Sequence, residues 1–79
     1  MMVIVVNIEY EQRVGENIRL LRKRCNLTQD QLAAKLQVSG CDITRSALAK
    51  IVVGQKHLYP DELKAIKEIL NIPYESILN

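Results

Sequence analysis

The stretch LTQDQLAAKL, residues 27–36, decides how this chain folds. Thr28 followed three residues later by Gln31 is the pattern of a capping box, in which each side chain satisfies a free backbone N–H at a helix start. The apolar residues that follow recur at helical spacing and are Leu32, Ala33 and Leu36. The stretch therefore predicts a short, well-capped helix whose small inner residues let a second helix come close. Gln29 is expected to be exposed at its start.

The composition is that of an ordinary folded domain with a thin core. The 79 residues are 48% hydrophobic and 25% charged, and they include neither Phe nor Trp. A chain of this length makes one domain at most and gains from oligomerisation because its core is small. With Leu, Ile, Val and Ala recurring at helical spacing, the sequence predicts a compact all-α domain.

Positive charge is concentrated in two blocks, although the net charge is only +2. Five of the six charged residues between positions 13 and 27 are cationic, and positions 44–59 hold Arg45, Lys50 and Lys56 without a carboxylate. These blocks alternate with acidic ones, and such a one-sided field suits a polyanionic partner. Solvated helix faces give similar counts, so charge alone leaves both interpretations open.

Cysteine and histidine usage predicts neither a metal site nor a disulfide. Cys25 and Cys41 form no CxxC pattern and His57 is the single histidine, so we expect no zinc-binding set. Two free thiols in a reducing cytoplasm are expected instead. The sequence shows no nucleophile–base pair and no glycine-rich phosphate loop, so we expect neither an enzyme nor a cofactor.

The chain begins with an apolar run, MMVIVV, which predicts a short strand or an extended arm. The run is too short to span a bilayer and lacks the basic region and cleavage site of a signal peptide. We therefore expect no membrane contact and a cytoplasmic location. Residues 1–9 are assigned to this arm and residues 10–79 to the domain. The arm either pairs with the same segment of a second copy or stays unpaired.

Periodicity and capping signals predict five helices in the domain. They cover about residues 10–25, 29–38, 44–53, 60–70 and 73–78. Ile43, just before the third helix, is expected to be buried. The apolar stripe predicted for the first helix comprises Tyr10, Val14, Ile18, Leu21 and Cys25. Thr44 or Asp42 caps the third helix, and Gly40 in the preceding loop is able to take a positive φ. Gly15 inside the first helix costs roughly 1 kcal/mol relative to Ala, unless it permits close packing.

The order of these segments resembles the Cro/repressor (XRE-type) helix-turn-helix family. The match runs over about residues 14–78 and is carried by a basic first helix, LTQDQLAAKL, SALAKIVVG, and ELKAIKEILN followed by IPYESIL. The resemblance implies a compact five-helix, lambda-repressor-like domain that binds double-stranded DNA.

In that family the third helix lies in the DNA major groove, and its first residues meet base edges. The resemblance implies base-reading roles for Arg45, Ser46, Ala49 and Lys50, with Arg45 suited to guanine O6 and N7. The phosphate contacts that it implies are Gln29, Thr44, Gln55, Lys56 and Arg22. Gln29 matches the family Gln at the start of the second helix, and a phosphate contact there explains its exposure.

Two features depart from the family pattern. The segment Gln37–Ile43 is longer by roughly five residues than the short turn usual between the two helices, which leaves the placement of the third helix open. Val52 stands where the family often has a Glu paired with an Arg of the first helix, here Arg22. Arg22 is then free for a phosphate or pairs with another carboxylate, and the apolar pair Val52-Val53 indicates extra burial or an interface.

The sequence and its resemblance together predict a transcriptional regulator that binds a pseudo-palindromic operator as a homodimer, and the resemblance implies that this regulator is a repressor. The alternative is a protein-interaction module of antitoxin-like or phage regulatory type with little DNA affinity of its own. The apolar arm and Val52-Val53 favour that alternative.

Overall fold

A computed structural model describes residues 8–79 of the chain. These residues form five α-helices and no strand: α1 (Ile8–Arg24), α2 (Gln29–Val38), α3 (Arg45–Val52), α4 (Pro60–Leu70) and α5 (Tyr74–Leu78). The predicted all-α, five-helix domain is thereby confirmed. The run MMVIVV lies outside the described residues. Since α1 begins at Ile8, the last two residues assigned to the arm belong to this helix.

The helix starts follow the capping signals in the sequence. Thr28 Oγ1 accepts from the backbone N–H of Gln31 at 3.1 Å, and Gln31 Oε1 accepts from the N–H of Thr28 at 2.8 Å. These two bonds complete the predicted capping box of α2. Thr44 caps α3 by accepting from the N–H of Ala47 at 3.1 Å. Of the two candidate caps of α3, Thr44 is therefore the one used, and not Asp42.

Four helices of the described chain are followed, within two residues, by a residue with positive φ. These residues are Asn26, Gly40, Gly54 and Asn71. At the end of α2, the N–H of Cys41 donates to Leu36 O at 2.8 Å and the N–H of Gly40 donates to Gln37 O at 3.1 Å. These are the two bonds of a Schellman motif. Because Gly40 reaches its φ of +95° without a Cβ clash, the chain turns sharply after α2.

The core consists of aliphatic side chains from every helix. Every helix contributes at least one fully buried residue, and these residues are Ile18, Leu32, Leu36, Leu48, Ile66 and Ile77. Ile43 in the connection between α2 and α3 is 2% exposed, as the sequence predicted. Burial of these side chains removes them from water and supplies the main favourable free energy of folding.

The apolar stripe predicted for α1 is buried along its middle and exposed at both ends. Tyr10 and Cys25, its first and last members, are exposed, so their assignment to the core was wrong. Tyr10 instead donates its hydroxyl to Leu78 O at 2.7 Å, and Asn17 Nδ2 donates to Ile77 O at 2.9 Å. Polar bonds to the backbone of α5 therefore supplement the apolar contacts of α1.

Gly15 allows α1 to approach the end of α3 closely. A Cβ at this position would lie 2.4 Å from Val52 O and 2.6 Å from Ile51 O. Both atoms belong to the backbone, so no side-chain rotation could relieve such a clash. Close packing, one of the two alternatives that the sequence left open for Gly15, is therefore confirmed.

We expect Gly15→Ala to lower the free energy of unfolding by about 2 kcal/mol, because the carbonyls of α3 must move. This cost exceeds the gain of about 1 kcal/mol that Ala brings to a helix interior. Urea unfolding measures the change. Arg13→Ala, at an exposed position of α1, serves as the control and should stay within about 0.5 kcal/mol. A Gly15→Ala variant as stable as the wild type would contradict the proposed packing constraint.

Candidate nucleic-acid interface

The first turns of α2 and α3 lie side by side on the surface. Arg45 Nε and Asp30 Oδ1 form an ion pair at 2.7 Å, with side chains 68% and 71% exposed. Asp30 is the second residue of α2 and Arg45 is the first residue of α3. The two helix starts, capped by Thr28 and Thr44, therefore belong to one patch of surface.

Helix α3 has one buried side and one exposed side. Its buried residues are Leu48, Ile51 and Val52. The other side carries the four predicted base-reading residues: Arg45, Ser46 and Lys50 are exposed and Ala49 is half-buried. Their spacing of one, three and one positions puts them on one face of a helix. The structure thus brings these four residues together on an outward surface.

Gln29 and Thr44 mark the starts of the two helices. Gln29 is the first residue of α2 and is half-buried, so the full exposure predicted for it was wrong, whereas Thr44 is exposed. Because the Thr44 hydroxyl oxygen accepts from Ala47, its hydrogen is left to donate to an outside acceptor. The first backbone N–H groups of a helix also favour an anion. Both positions are chemically suited to a phosphate.

Gln55 and Lys56 follow the end of α3. Gln55 is exposed, and its N–H donates to Lys50 O at 2.8 Å. Lys56 is partly buried, with its Nζ 3.9 Å from Glu62 Oε2 and 5.2 Å from the centroid of the Tyr59 ring. The first residues of α4 thus hold the ammonium group close to the end of α3.

Arg22 is the one predicted phosphate contact that the structure turns inward. Its Nη1 donates to Leu27 O at 2.5 Å, and its Nε is buried without a hydrogen-bond partner within residues 8–79. Val52 is 6% exposed and offers no carboxylate, so the guanidinium bonds to a backbone carbonyl. Arg22 therefore braces the turn that leads into α2 and makes no ion pair with a carboxylate within the described residues.

The connection between α2 and α3 comprises residues 39–44. Gln37 Nε2 donates to Ile43 O at 3.1 Å, and Ser39 Oγ donates to Leu36 O at 2.7 Å. Six extended residues span up to about 20 Å, whereas the rise along α2 from Asp30 to Val38 is only about 12 Å. The connection is therefore long enough to return the chain to the first turn of α2.

Asp30 is a member of this surface that sequence analysis missed. The capping box at Thr28 fixes Asp30 as the second residue of a helix and so gives it an exposed position near the helix start. Its contact with Arg45 depends on the path of residues 39–44, which periodicity does not reveal. The sequence therefore indicated only that Asp30 lies two residues after a helix cap, and it did not indicate the contact with Arg45.

The thiol of Cys41 offers little nucleophilic reactivity. Burial raises the pKa of the Cys41 thiol, and the nearby carboxylates of Glu62, Asp61 and Asp42 raise it further. A raised pKa lowers the fraction of reactive thiolate. Cys25 Sγ lies 3.7 Å from Leu70 O and donates to it.

Metal-ligating groups and membrane-spanning helices are both absent from the part of the chain that the structure describes. Residues 8–79 contain no group of three or more His, Cys, Asp or Glu side chains that could hold a metal ion. Over the same range, none of the helices has the length and apolar character needed to cross a membrane.

Comparison with known proteins places this arrangement in a family. A helix-turn-helix family model matches residues 18–77, well over half of the chain. The chain belongs to the XRE-type helix-turn-helix family. The predicted resemblance is thereby confirmed, and the two helices of the motif are α2 and α3. Their six-residue connection exceeds the three or four residues common in such motifs by two or three residues, and not by the roughly five that the sequence predicted.

A solved structure described as the crystal structure of the DNA-binding domain of BldD has a similar fold. The TM-score is 0.78 at 15% sequence identity, and the likeness covers 94% of this chain and 100% of that chain. At this identity the likeness concerns the helix-turn-helix fold alone. No curated protein matches the sequence.

We expect Thr44→Ala to lower the free energy of unfolding by about 1 kcal/mol, since the N–H of Ala47 loses its cap. Thr44→Ser keeps a hydroxyl in place and should retain most of the stability. Urea unfolding of the three proteins measures both differences. Equal stabilities for the Ala and Ser variants would show that the hydroxyl contributes nothing to the start of α3.

Proposed function

We propose that this protein is a transcriptional regulator that binds double-stranded DNA by placing α3 in the major groove. The observation that carries the proposal is the outer face of α3, where Arg45, Ser46 and Lys50 are exposed while the opposite side is buried in the core. The major groove admits an α-helix, and its base edges present donors and acceptors. Membership of the helix-turn-helix family supports the same function.

Arg45 and Lys50 supply the cationic donors of this reading surface. Arg45 is the first residue of α3. In a recognition helix the N-terminal residues meet the base edges, and the Arg45 guanidinium matches guanine O6 and N7. Ser46 donates or accepts, and Ala49 offers a methyl group to thymine. Together these residues read a short run of base pairs.

The phosphate contacts flank α3. Gln29 and Thr44 offer side-chain donors and helix-start N–H groups to the backbone on one side. Gln55 and Lys56 offer donors just beyond the end of α3. Contacts of this kind fix the register and orientation of the helix in the groove, although they carry no sequence information.

We further propose that two copies bind a pseudo-palindromic operator and repress transcription by blocking polymerase. The eight residues of α3 span only about 12 Å, so one copy reads few base pairs and a second copy doubles the contacts. Val38 and Val53, 90% and 55% exposed, provide apolar surface for association, and residues 1–9 are a second candidate region. Such a regulator acts in the cytoplasm, where the DNA lies.

The second candidate function is a protein-interaction module on the same scaffold. The specific observation in its favour is the exposure of the same two valines, Val38 and Val53, which lie at the ends of α2 and α3. Such a module would bind DNA weakly and without sequence preference at physiological salt.

Selection of bound duplexes from a random DNA library distinguishes these functions. We expect the wild type to enrich a two-fold-symmetric site with half-sites about one helical turn apart. Arg45→Ala should lose about 1–3 kcal/mol of affinity and relax the preference at one base pair of each half-site. Lys64→Ala, an exposed change on α4, is the control. Unchanged preference in Arg45→Ala would refute its base-reading role, and no enrichment by the wild type would favour the protein-interaction module.

The salt dependence of binding tests the backbone contact of Lys56. In Lys56→Ala, the slope of log affinity against log salt should become less negative by about 0.9, the value for one phosphate contact. The base preference should stay unchanged, because this contact positions α3 without reading sequence. Fluorescence anisotropy over a salt series gives the slope. A slope equal to that of the Lys64→Ala control would remove Lys56 from the interface.

A further inference from the structure

The ion pair between Arg45 and Asp30 assigns different parts of the guanidinium to different partners. In this ion pair, Arg45 Nε lies 2.7 Å from Asp30 Oδ1. An arginine carries five N–H donors in a planar fork, so the four on the two terminal nitrogens remain for another acceptor. Bidentate recognition of guanine O6 and N7 needs two of them. Holding Nε therefore restricts the orientation of the guanidinium without using up its capacity to read a base.

Restricting Arg45 in the free protein favours recognition of its target base. A free arginine side chain loses rotamer entropy when it is fixed in one geometry. Asp30 lies on α2, whose start is fixed by the capping box, so the carboxylate is attached to a rigid element. Part of the ordering of Arg45 is then complete before DNA arrives, and this favours the one base that fits the held geometry.

The charge of Asp30 acts on every DNA sequence alike. Its carboxylate lies in the first turn of α2, beside Gln29 and the helix start proposed to meet a phosphate. A negative charge there repels the DNA backbone, which supplies essentially all of the non-specific affinity. Asp30 therefore weakens binding to random DNA while it orients the side chain that reads a base.

We infer that Asp30 is a positioning residue that sets sequence specificity by holding Arg45 for guanine. This inference rests on the proposed function, because it needs a cognate duplex. Specificity is a difference of affinities, so only the hold on Arg45 changes it, whereas the charge of Asp30 lowers affinity for every duplex alike.

The test compares Asp30→Ala with the wild type on three duplexes of equal length. They are the duplex enriched by the wild type, the same duplex with the guanine opposite Arg45 replaced by adenine, and a scrambled duplex. We expect Asp30→Ala to bind the scrambled duplex more tightly. The preference for guanine over adenine should fall roughly two- to fivefold, the range that one exposed ion pair supports.

Asp61→Ala is the matched control. Asp61 is the second residue of α4, as Asp30 is of α2, and it is also exposed. Both variants remove one negative charge from a helix start, so they change net charge and helix-dipole interaction equally. The control should leave the preference for guanine unchanged. An equal loss of preference in both variants would overturn the inference in favour of a general charge effect.

A double-mutant comparison ties the effect to Arg45. In an Arg45→Ala background, Asp30→Ala should change affinity for the guanine and adenine duplexes by the same factor, since no guanidinium remains to be held. A preference for guanine that rises in Asp30→Ala would also overturn the inference, because Asp30 would then be competing with the base for Arg45.

Selection from the random DNA library by the wild type separates this inference from the proposed function. If the wild type enriches no site, the proposed function fails and the inference fails with it. If the wild type enriches a site but Asp30→Ala keeps the full preference for guanine, the inference alone fails. In that case Arg45 reads its base without help from α2.

Discussion

Burial of the inner face of α3 is the constraint on which the rest of the molecule depends. Leu48 and Ile51 are 0% and 2% exposed, and α3 packs against both α1 and α2. This packing fixes the rotation of a helix only eight residues long, which would not be stable alone in water. Because the inner face is fixed, the outer face is fixed as well, and Arg45 and Lys50 point away from the core. Gly15 contributes by letting the backbone of α1 come within reach of the end of α3.

The long connection between α2 and α3 brings the starts of these two helices together. Residues 39–44 begin at a Schellman motif and contain Ile43, which is buried and so anchors the connection to the core. The chain then returns toward the start of α2, and Arg45 reaches Asp30. The added residues do not act as a loose insertion, because hydrogen bonds from Gln37 and Ser39 order both ends of the segment. The length of this connection therefore allows the first turns of α2 and α3 to form one surface.

The local features of this fold could be predicted from the sequence, whereas its side-chain partnerships could not. Capping by Thr28, the positive φ of Asn26 and the helix start at Pro60 depend on neighbours within four residues, and such signals are readable in a sequence. The exposure of Tyr10, the inward turn of Arg22 and the contact between Asp30 and Arg45 depend on elements distant in sequence. The composition of the α3 outer face was predictable because helical spacing alone assigns residues to a face.

Pairing of cations with carboxylates moderates the electrostatics of the candidate interface. Arg45 pairs with Asp30 and Lys56 lies close to Glu62, whereas Lys50 makes no ion pair within the described residues. The pair of Arg45 and Asp30 is exposed, and an exposed ion pair contributes little to stability, so its role concerns the charge and orientation of Arg45. The free protein then has weak general attraction for a polyanion, in keeping with a net charge of +2. Under the proposed function, sequence-specific affinity comes from the fit of α3 to particular base pairs, and this fit favours specific over indiscriminate binding.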